Sequence, residues 1–333
     1  MTPLRIGVIG AGNIARGHIR KFTSMEGVAV TALADPSEAS LSATRAALDG
    51  GAEVRTYADW HTMLDREALD AVLVATPHTL HHGQVVAALD RGLHVLCEKP
   101  LAHTADLCAD LARRATAAER TLVVAFQRRF DPAYRYMRAL VRGGEIGDLQ
   151  HVIAVQAQGW AKLTEGTWRR TLDLGGGGQL SDSGAHLFDM LLWTSGRRVV
   201  EVDARVRHYR SEVEIDGAAV LAFDNGAIGT VSVIGSGHRF WERLAIEGTL
   251  GGVRVDYPGA SGGHEVWREG DIPGPPHAPA TLPAGTDPDA HFVAVVRGEA
   301  TNESPPDEIV PVLQLIEAIR ESARTDRRVA LPN

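Results

Sequence analysis

The opening segment most restricts the fold. An apolar run, Leu4–Ile9, passes directly into Gly10-Ala11-Gly12-Asn13-Ile14-Ala15, and a helical pattern begins at once. A strand, a glycine-rich turn and a helix in that order are the ingredients of a dinucleotide-binding unit. Gly10 permits the tight turn, Gly12 lets the backbone approach a pyrophosphate, and Ala15 allows close packing of helix on strand. The N-terminus of the helix, with Asn13 and Ile14 in its first turn, faces the phosphate charge. Asp35 closes the next strand, about 20 residues on, where a carboxylate accepts hydrogen bonds from ribose hydroxyls and repels a 2′-phosphate. NAD is therefore expected rather than NADP. Two other readings stay open: the glycines merely join strand to helix, and Asp35 caps the helix that starts near Ser37.

The same rhythm continues. Val28–Ala34, Ala71–Ala75, His94–Cys97 and Thr121–Ala125 are short apolar runs. Helical candidates Asn13–Ser24, Ser37–Ala47, Leu80–Arg91 and Thr104–Ala118 separate most of them. Strands that are apolar without alternation predict a parallel sheet covered on both faces. Past Phe126 the strands lengthen and alternate: Gln150–Gln158, Val199–Arg207, Ala218–Phe223, Ala227–Ile234 and Arg243–Glu247. Asp224-Asn225-Gly226 marks a hairpin. The expected fold is an α/β N-terminal Rossmann domain over 1–122 and an α+β domain over 123–333 with an open, mainly antiparallel sheet. Leu180–Ser195 is predicted as a helix reached through a flexible Gly175–Gly178 run. Tyr257–Pro288, rich in Gly and Pro, is predicted as a surface excursion. A last helix, about 309–323, is expected to pack near the first domain, and Arg328–Leu331 to form a closing strand.

Composition narrows the partners. The formal charge is −8, with basic residues scattered among acidic ones, so no footprint for nucleic acid is present. Two cysteines, Cys97 and Cys108, are too few for a disulfide framework. Without a leader-like segment or an apolar span, a cytoplasmic protein without a membrane partner is expected.

Three further clusters carry chemistry. Strand His94–Cys97 ends in Glu98-Lys99-Pro100, at the carboxyl edge where open α/β sheets bind ligands. Lys99 there would lie beside the nicotinamide and exchange protons with a substrate hydroxyl. The alternatives are a surface lysine before a proline-started helix and, for Lys99-Pro100, either peptide isomer. Thr76-Pro77-His78, followed by His81, lines the same edge. His78, His81 and His82 straddle a helix start without an acidic ligand close by, so no metal is expected. Asp182 and His186, four apart on the predicted helix, share a face, and a carboxylate beside an imidazole orients a general base. The alternative is Asp182 as an N-cap with His186 packed.

Taken together, Gly10-x-Gly12-x-x-Ala15, Thr76-Pro77-x-x-x-His81, Cys97-Glu98-Lys99-Pro100 and Gly175-Gly176-Gly177 leading to Asp182-x-Gly184-x-His186-x-x-Asp189 resemble the Gfo/Idh/MocA oxidoreductases, in order and across both domains. The resemblance implies a catalytic trio of Lys99, Asp182 and His186, hydride exchange with a sugar or cyclitol, and pairing of subunits into homodimers or homotetramers through the second sheet. It places Gln127, Arg128, Trp168, Arg169 and Ser183 near substrate. His78 departs from the pattern, since many members carry Asn there. The resemblance also covers enzymes that recycle bound NAD while cleaving or epimerising a glycoside. A cofactor-binding sensor is a third reading.

Overall fold

A computed structural model of the chain describes residues 3–332 apart from 49–53, 260–263, 271–281 and 283–284. The chain divides into two compact units. One holds 1–102, 106–126 and 286–308; the other holds 103–105, 127–285 and 309–333.

In the first unit, β1 (Leu4–Ile9), β2 (Val28–Ala34), β3 (Arg55–Tyr57), β4 (Ala71–Val74), β5 (His94–Cys97) and β6 (Leu122–Val124) form one sheet in the order β3-β2-β1-β4-β5-β6. Every pair is parallel. This is the doubly wound Rossmann order, with the switch point between β1 and β4. The helix Asn13–Thr23 buries Ala15, His18, Ile19 and Phe22, one face at helical spacing, into a core with Ile6, Val8, Leu73 and Phe292. Ser37 and Asp59 cap the helices Glu38–Ala46 and Trp60–Arg66 by accepting from backbone amides three residues on. The sequence reading missed β3 and Trp60–Arg66, because a three-residue edge strand carries too few apolar positions to show a period. It also missed Pro288–Val296, a helix capped by Asp287.

In the second unit, β7 (Leu149–Ala157), β8 (Val199–Arg207), β9 (Asp216–Phe223), β10 (Ile228–Ile234), β11 (Trp241–Gly248), β12 (Gly251–Tyr257), β13 (Glu265–Gly270) and β14 (Val329–Ala330) are ordered β13-β12-β11-β7-β10-β9-β8-β14. Within this second sheet only β7 and β10 run parallel among the described strands. Alternation gives the sheet a buried face with Val152, Ala154, Leu221, Val231 and Leu244. Ile153, Val220 and Ile228 stand exposed on the other face. The helices Pro132–Arg142, Gly184–Ser195 and Val310–Thr325 pack on this sheet.

Three expectations change. The segment 286–308 belongs to the first unit, not to the second. The region 257–288 is not all loop, since β13 pairs with β12 inside it; the rest of that reading falls largely outside the described residues. The Gly175–Gly178 run is packed rather than loose: a Cβ on Gly177 would meet the Arg320 guanidinium at 1.9 Å, and one on Gly178 the Glu214 carbonyl at 1.9 Å.

Candidate functional site

Register brings the first unit's site residues to one edge. Ile9 pairs with both Ala34 and Val74, and Val74 with Cys97. Asp35, Gly10, Ala75–Thr76 and Glu98–Lys99 therefore leave adjacent strands side by side. Gly10 has φ of 92°, and a Cβ there would lie 2.6 Å from the Ala75 carbonyl oxygen, so no other residue fits without movement. Gly12 is different: nothing lies within 4 Å of where its Cβ would be. It is the N-cap of Asn13–Thr23, whose first turn has neither a side-chain cap nor an acidic residue. The helix start is thus open to an anion at the position where a side chain would obstruct it. Ile14 is half exposed there, and Asn13 Oδ1 accepts from Arg16.

Asp35 organises this turn. Its Oδ2 accepts from the Ala11 amide at 2.8 Å and its Oδ1 from the Ser37 amide at 2.8 Å, while Thr44 Oγ1 donates to the Ala11 carbonyl at 2.7 Å. Two bonds leave a half-buried carboxylate with acceptor capacity. Asp35 does not cap the next helix; Ser37 does. The open Gly12 position and the carboxylate beside it fit a dinucleotide.

His81 does not line this edge, contrary to the expectation that it contacts a cofactor. It is fully buried, Nδ1 facing the Pro100 carbonyl at 2.8 Å and Nε2 the Thr76 carbonyl at 2.9 Å. Burial lowers its pKa despite these two carbonyls, and the ring lies between the segments that follow β4 and β5. Thr76 Oγ1 donates to Gln84 at 2.6 Å, and Pro77 precedes the turn His78–Leu80, in which His78 is buried. His82 pairs with Asp110 at 3.0 Å. Cys97 is buried and its thiol pushed well up by burial, an inert core position. The Lys99-Pro100 peptide is cis.

Glu98 is buried beneath this edge. Its Oε2 accepts from the Lys99 amide at 3.0 Å and its Oε1 lies 2.9 Å from His18 Nε2. Burial favours the protonated acid, but His18 outweighs it and holds the carboxyl below its ordinary range. Sequence reasoning missed His18, whose place on an apolar helix face looks like core packing.

In the second unit the helix begins at Gly184, not Leu180. Asp182 therefore sits in the preceding turn, its amide donating to the Gly178 carbonyl at 3.0 Å, and the shared-helix-face argument for Asp182 and His186 does not hold. Nor is Asp182 the N-cap; Ser183 is. The buried Asp182 carboxylate is fixed instead by Trp160, whose Nε1 donates to Oδ2 at 2.8 Å, with the Arg169 Nε 3.3 Å from the same oxygen. Arg169 also lies over the Trp168 ring at 4.4 Å. Trp168, Arg169 and Asp182 are thus brought together, and His186 lies half-buried in the first turn of the helix. Gln127 opens the short turn Gln127–Phe130, and Arg128 pairs with the buried Glu242, which also accepts from Tyr134 and, at 2.8 Å, from Gln156. Arg129 and Asp189 form a buried pair at 2.6 Å that the sequence reading did not single out; the motif's Asp189 is its only signal.

Comparison with known proteins decides the kinship. Residues 4–126 match the model of an oxidoreductase family with an NAD-binding Rossmann fold, GFO_IDH_MocA, and 134–254 match the GFO/IDH/MocA C-terminal domain. The chain belongs to the Gfo/Idh/MocA oxidoreductase family. It is similar to the rhizopine catabolism protein MocA of Rhizobium meliloti, 31% identical over 242 residues, or 72% of this chain and 73% of that one. It is also similar to an inositol 2-dehydrogenase of Corynebacterium glutamicum, 28% identical over 277 residues, 81% of this chain and 77% of the relative. The crystal structure of an aldose-aldose oxidoreductase from Caulobacter crescentus complexed with glycerol superposes with a TM-score of 0.84 at 25% identity, covering 99% of this chain and 100% of that one.

For this Gfo/Idh/MocA protein, the first match contains the glycine turn, Asp35 and Lys99, and the second contains Trp160, Asp182 and His186. No helix among the described residues is long and apolar enough to cross a membrane.

Proposed function

We propose that this protein is an NAD-dependent dehydrogenase that exchanges hydride with a hydroxyl-bearing carbon of a sugar or cyclitol, with Lys99, Asp182 and His186 as its catalytic residues. The observation that carries the reading is the buried Asp182 carboxylate, fixed by Trp160 and Arg169 in the turn just before His186. Burying a carboxylate is unfavourable unless it is bonded, and here it is bonded in a way that leaves an acid and an imidazole at the start of one helix. The names of the relatives point to cyclitols and aldoses as the substrate class.

In this mechanism Gly10, Gly12, Asn13, Ile14, Asp35, Thr76, Pro77, His78, Glu98 and Lys99 hold the dinucleotide, and Asp35 selects NAD. NAD, when bound, supplies the carbon that accepts the hydride. His186 takes the proton of the substrate hydroxyl, and Asp182 stabilises the imidazolium that results. Lys99 donates a hydrogen bond to the same oxygen as the carbonyl forms. Trp168, Arg169, Ser183, Gln127 and Arg128 orient the ring. Subunits pair through the exposed sheet face at Ile153, Val220 and Ile228, which light scattering of the Val220→Lys protein against the parent tests.

The test is a panel of sugars, cyclitols and their keto forms with NAD and NADP, followed by nicotinamide absorbance. Turnover with NAD that falls by about 10²–10⁴-fold in Lys99→Met and in His186→Asn is expected. Full turnover in either variant would overturn the assignment.

A further inference from the structure

His18 is buried on the inner face of Asn13–Thr23, bonded on both sides by carboxylates. Nδ1 lies 2.5 Å from Asp289 Oδ1 and Nε2 lies 2.9 Å from Glu98 Oε1. Two carboxylates require two N–H donors, so the ring is the doubly protonated imidazolium. Lys21 Nζ reaches the other Asp289 oxygen at 3.0 Å, and the Lys99 amide donates to the other Glu98 oxygen at 3.0 Å. The chain of contacts Lys21, Asp289, His18, Glu98, Lys99 balances two positive side chains against two negative ones before it reaches the Lys99 backbone. An unbonded Glu98 in this buried place would take up a proton, which weakens its bond to the Lys99 amide, or turn away, which releases it.

We propose that His18 is a positioning residue that acts through Glu98: by donating from Nε2 it fixes the Glu98 carboxylate, which in turn holds the Lys99 backbone where the lysine side chain meets substrate. This rests on the reading of Lys99 as a catalytic residue. Asp289 has a separate part. It sets the charge of the imidazolium, whereas the Nε2 bond transmits position.

The two ring nitrogens are separable by substitution. The amide nitrogen of Gln in place of His18 falls near the Nε2 position and keeps a donor to Glu98, and that of Asn falls near Nδ1 and keeps only the donor to Asp289. In the full-length protein, His18→Gln is expected to retain kcat within about threefold. His18→Asn is expected to lose about 10–100-fold in kcat, since small misplacements of a reacting group have effects of that size. Substrate KM should stay near the parent value in both. Nitrogen chemical shifts of the His18 ring, read without substrate, should show an imidazolium at neutral pH.

Equal losses of kcat in the Gln and Asn variants, or none in the Asn variant, would overturn the inference, as would a neutral His18 ring. If His18→Asn does not fold, Asp289→Asn serves: the Asn amide donates to Nδ1 and the ring keeps its Nε2–H toward Glu98, so kcat should stay within about threefold of the parent. A loss of about tenfold or more overturns the inference. A parent protein that oxidises no alcohol ends the functional reading, whereas an active parent with indistinguishable Gln and Asn variants ends only this one.

Discussion

The Trp160 indole donates to the Asp182 carboxylate across 2.8 Å, with both groups buried. Trp160 also packs with Val213 and Ile215, so the ring has both an apolar and a polar role. In Trp160→Phe much of the packing remains and the donor is lost. A hydrogen bond to a charged group contributes about 1.5–3 kcal/mol, so kcat/KM should fall by roughly 10–100-fold. Steady-state kinetics on the best substrate of the panel checks this, and an unchanged kcat/KM would remove Asp182 from the mechanism.

Two glycines separate binding from folding. Gly12→Ala meets open space, so its melting temperature should match the parent, while calorimetric titration should show NAD affinity reduced by at least about tenfold. Gly178→Ala drives a methyl group into the Glu214 carbonyl and should destabilise by about 1–3 kcal/mol. A thermal melt would register this as a fall of several degrees. The opposite pattern would place the dinucleotide elsewhere.

Asp35→Ser removes the acceptor of the Ala11 amide and the charge that faces the ribose. NAD affinity should drop by about tenfold and the preference for NAD over NADP should shrink, as titration with both cofactors measures. A protein that binds NADP as well as NAD before the substitution would refute the selectivity argument.

Stability should decline on the alkaline side because of His18. Burial opposes its charge, but the bonds to Asp289 and Glu98 outweigh this and raise the pKa from 6.5 to about 9. The folded state therefore holds the proton more tightly than the unfolded chain. Its contribution is full below pH 6.5, shrinks as pH rises, and is lost above about 9. The difference is on the order of 3 kcal/mol at most. Denaturant melts from neutral pH to pH 10 should show the decline in the parent and a flatter profile in His18→Gln. Equal slopes would show that His18 carries no charge in the fold.

Much of the first unit was legible because its determinants are local. Leu4–Ile9, Val28–Ala34 and His94–Cys97 are apolar runs, and the strands match those bounds. In the second unit the hairpin at Asp224-Asn225-Gly226 was legible for the same reason. The start of Gly184–Ser195 was not: Leu180 and Ser181 continue an apolar, helix-compatible pattern, but the Gly178 carbonyl draws the Ser181 and Asp182 amides into a turn. Partners far along the chain leave no period. His18 and Asp289 are 271 residues apart, and nothing near His18 distinguishes it from a packed core histidine.

The sequence by itself determined the parallel sheet, the glycine turn with Asp35, the second sheet and the family, because hydrophobic period and turn chemistry are read over a few residues. Only the tertiary structure decided which carboxylate meets which donor: Asp182 with Trp160, Glu98 with His18, Asp35 with Ala11. Those pairings depend on desolvation and on bonds between elements brought together by folding, and charge in a buried place is settled by neighbours that the order of residues does not name.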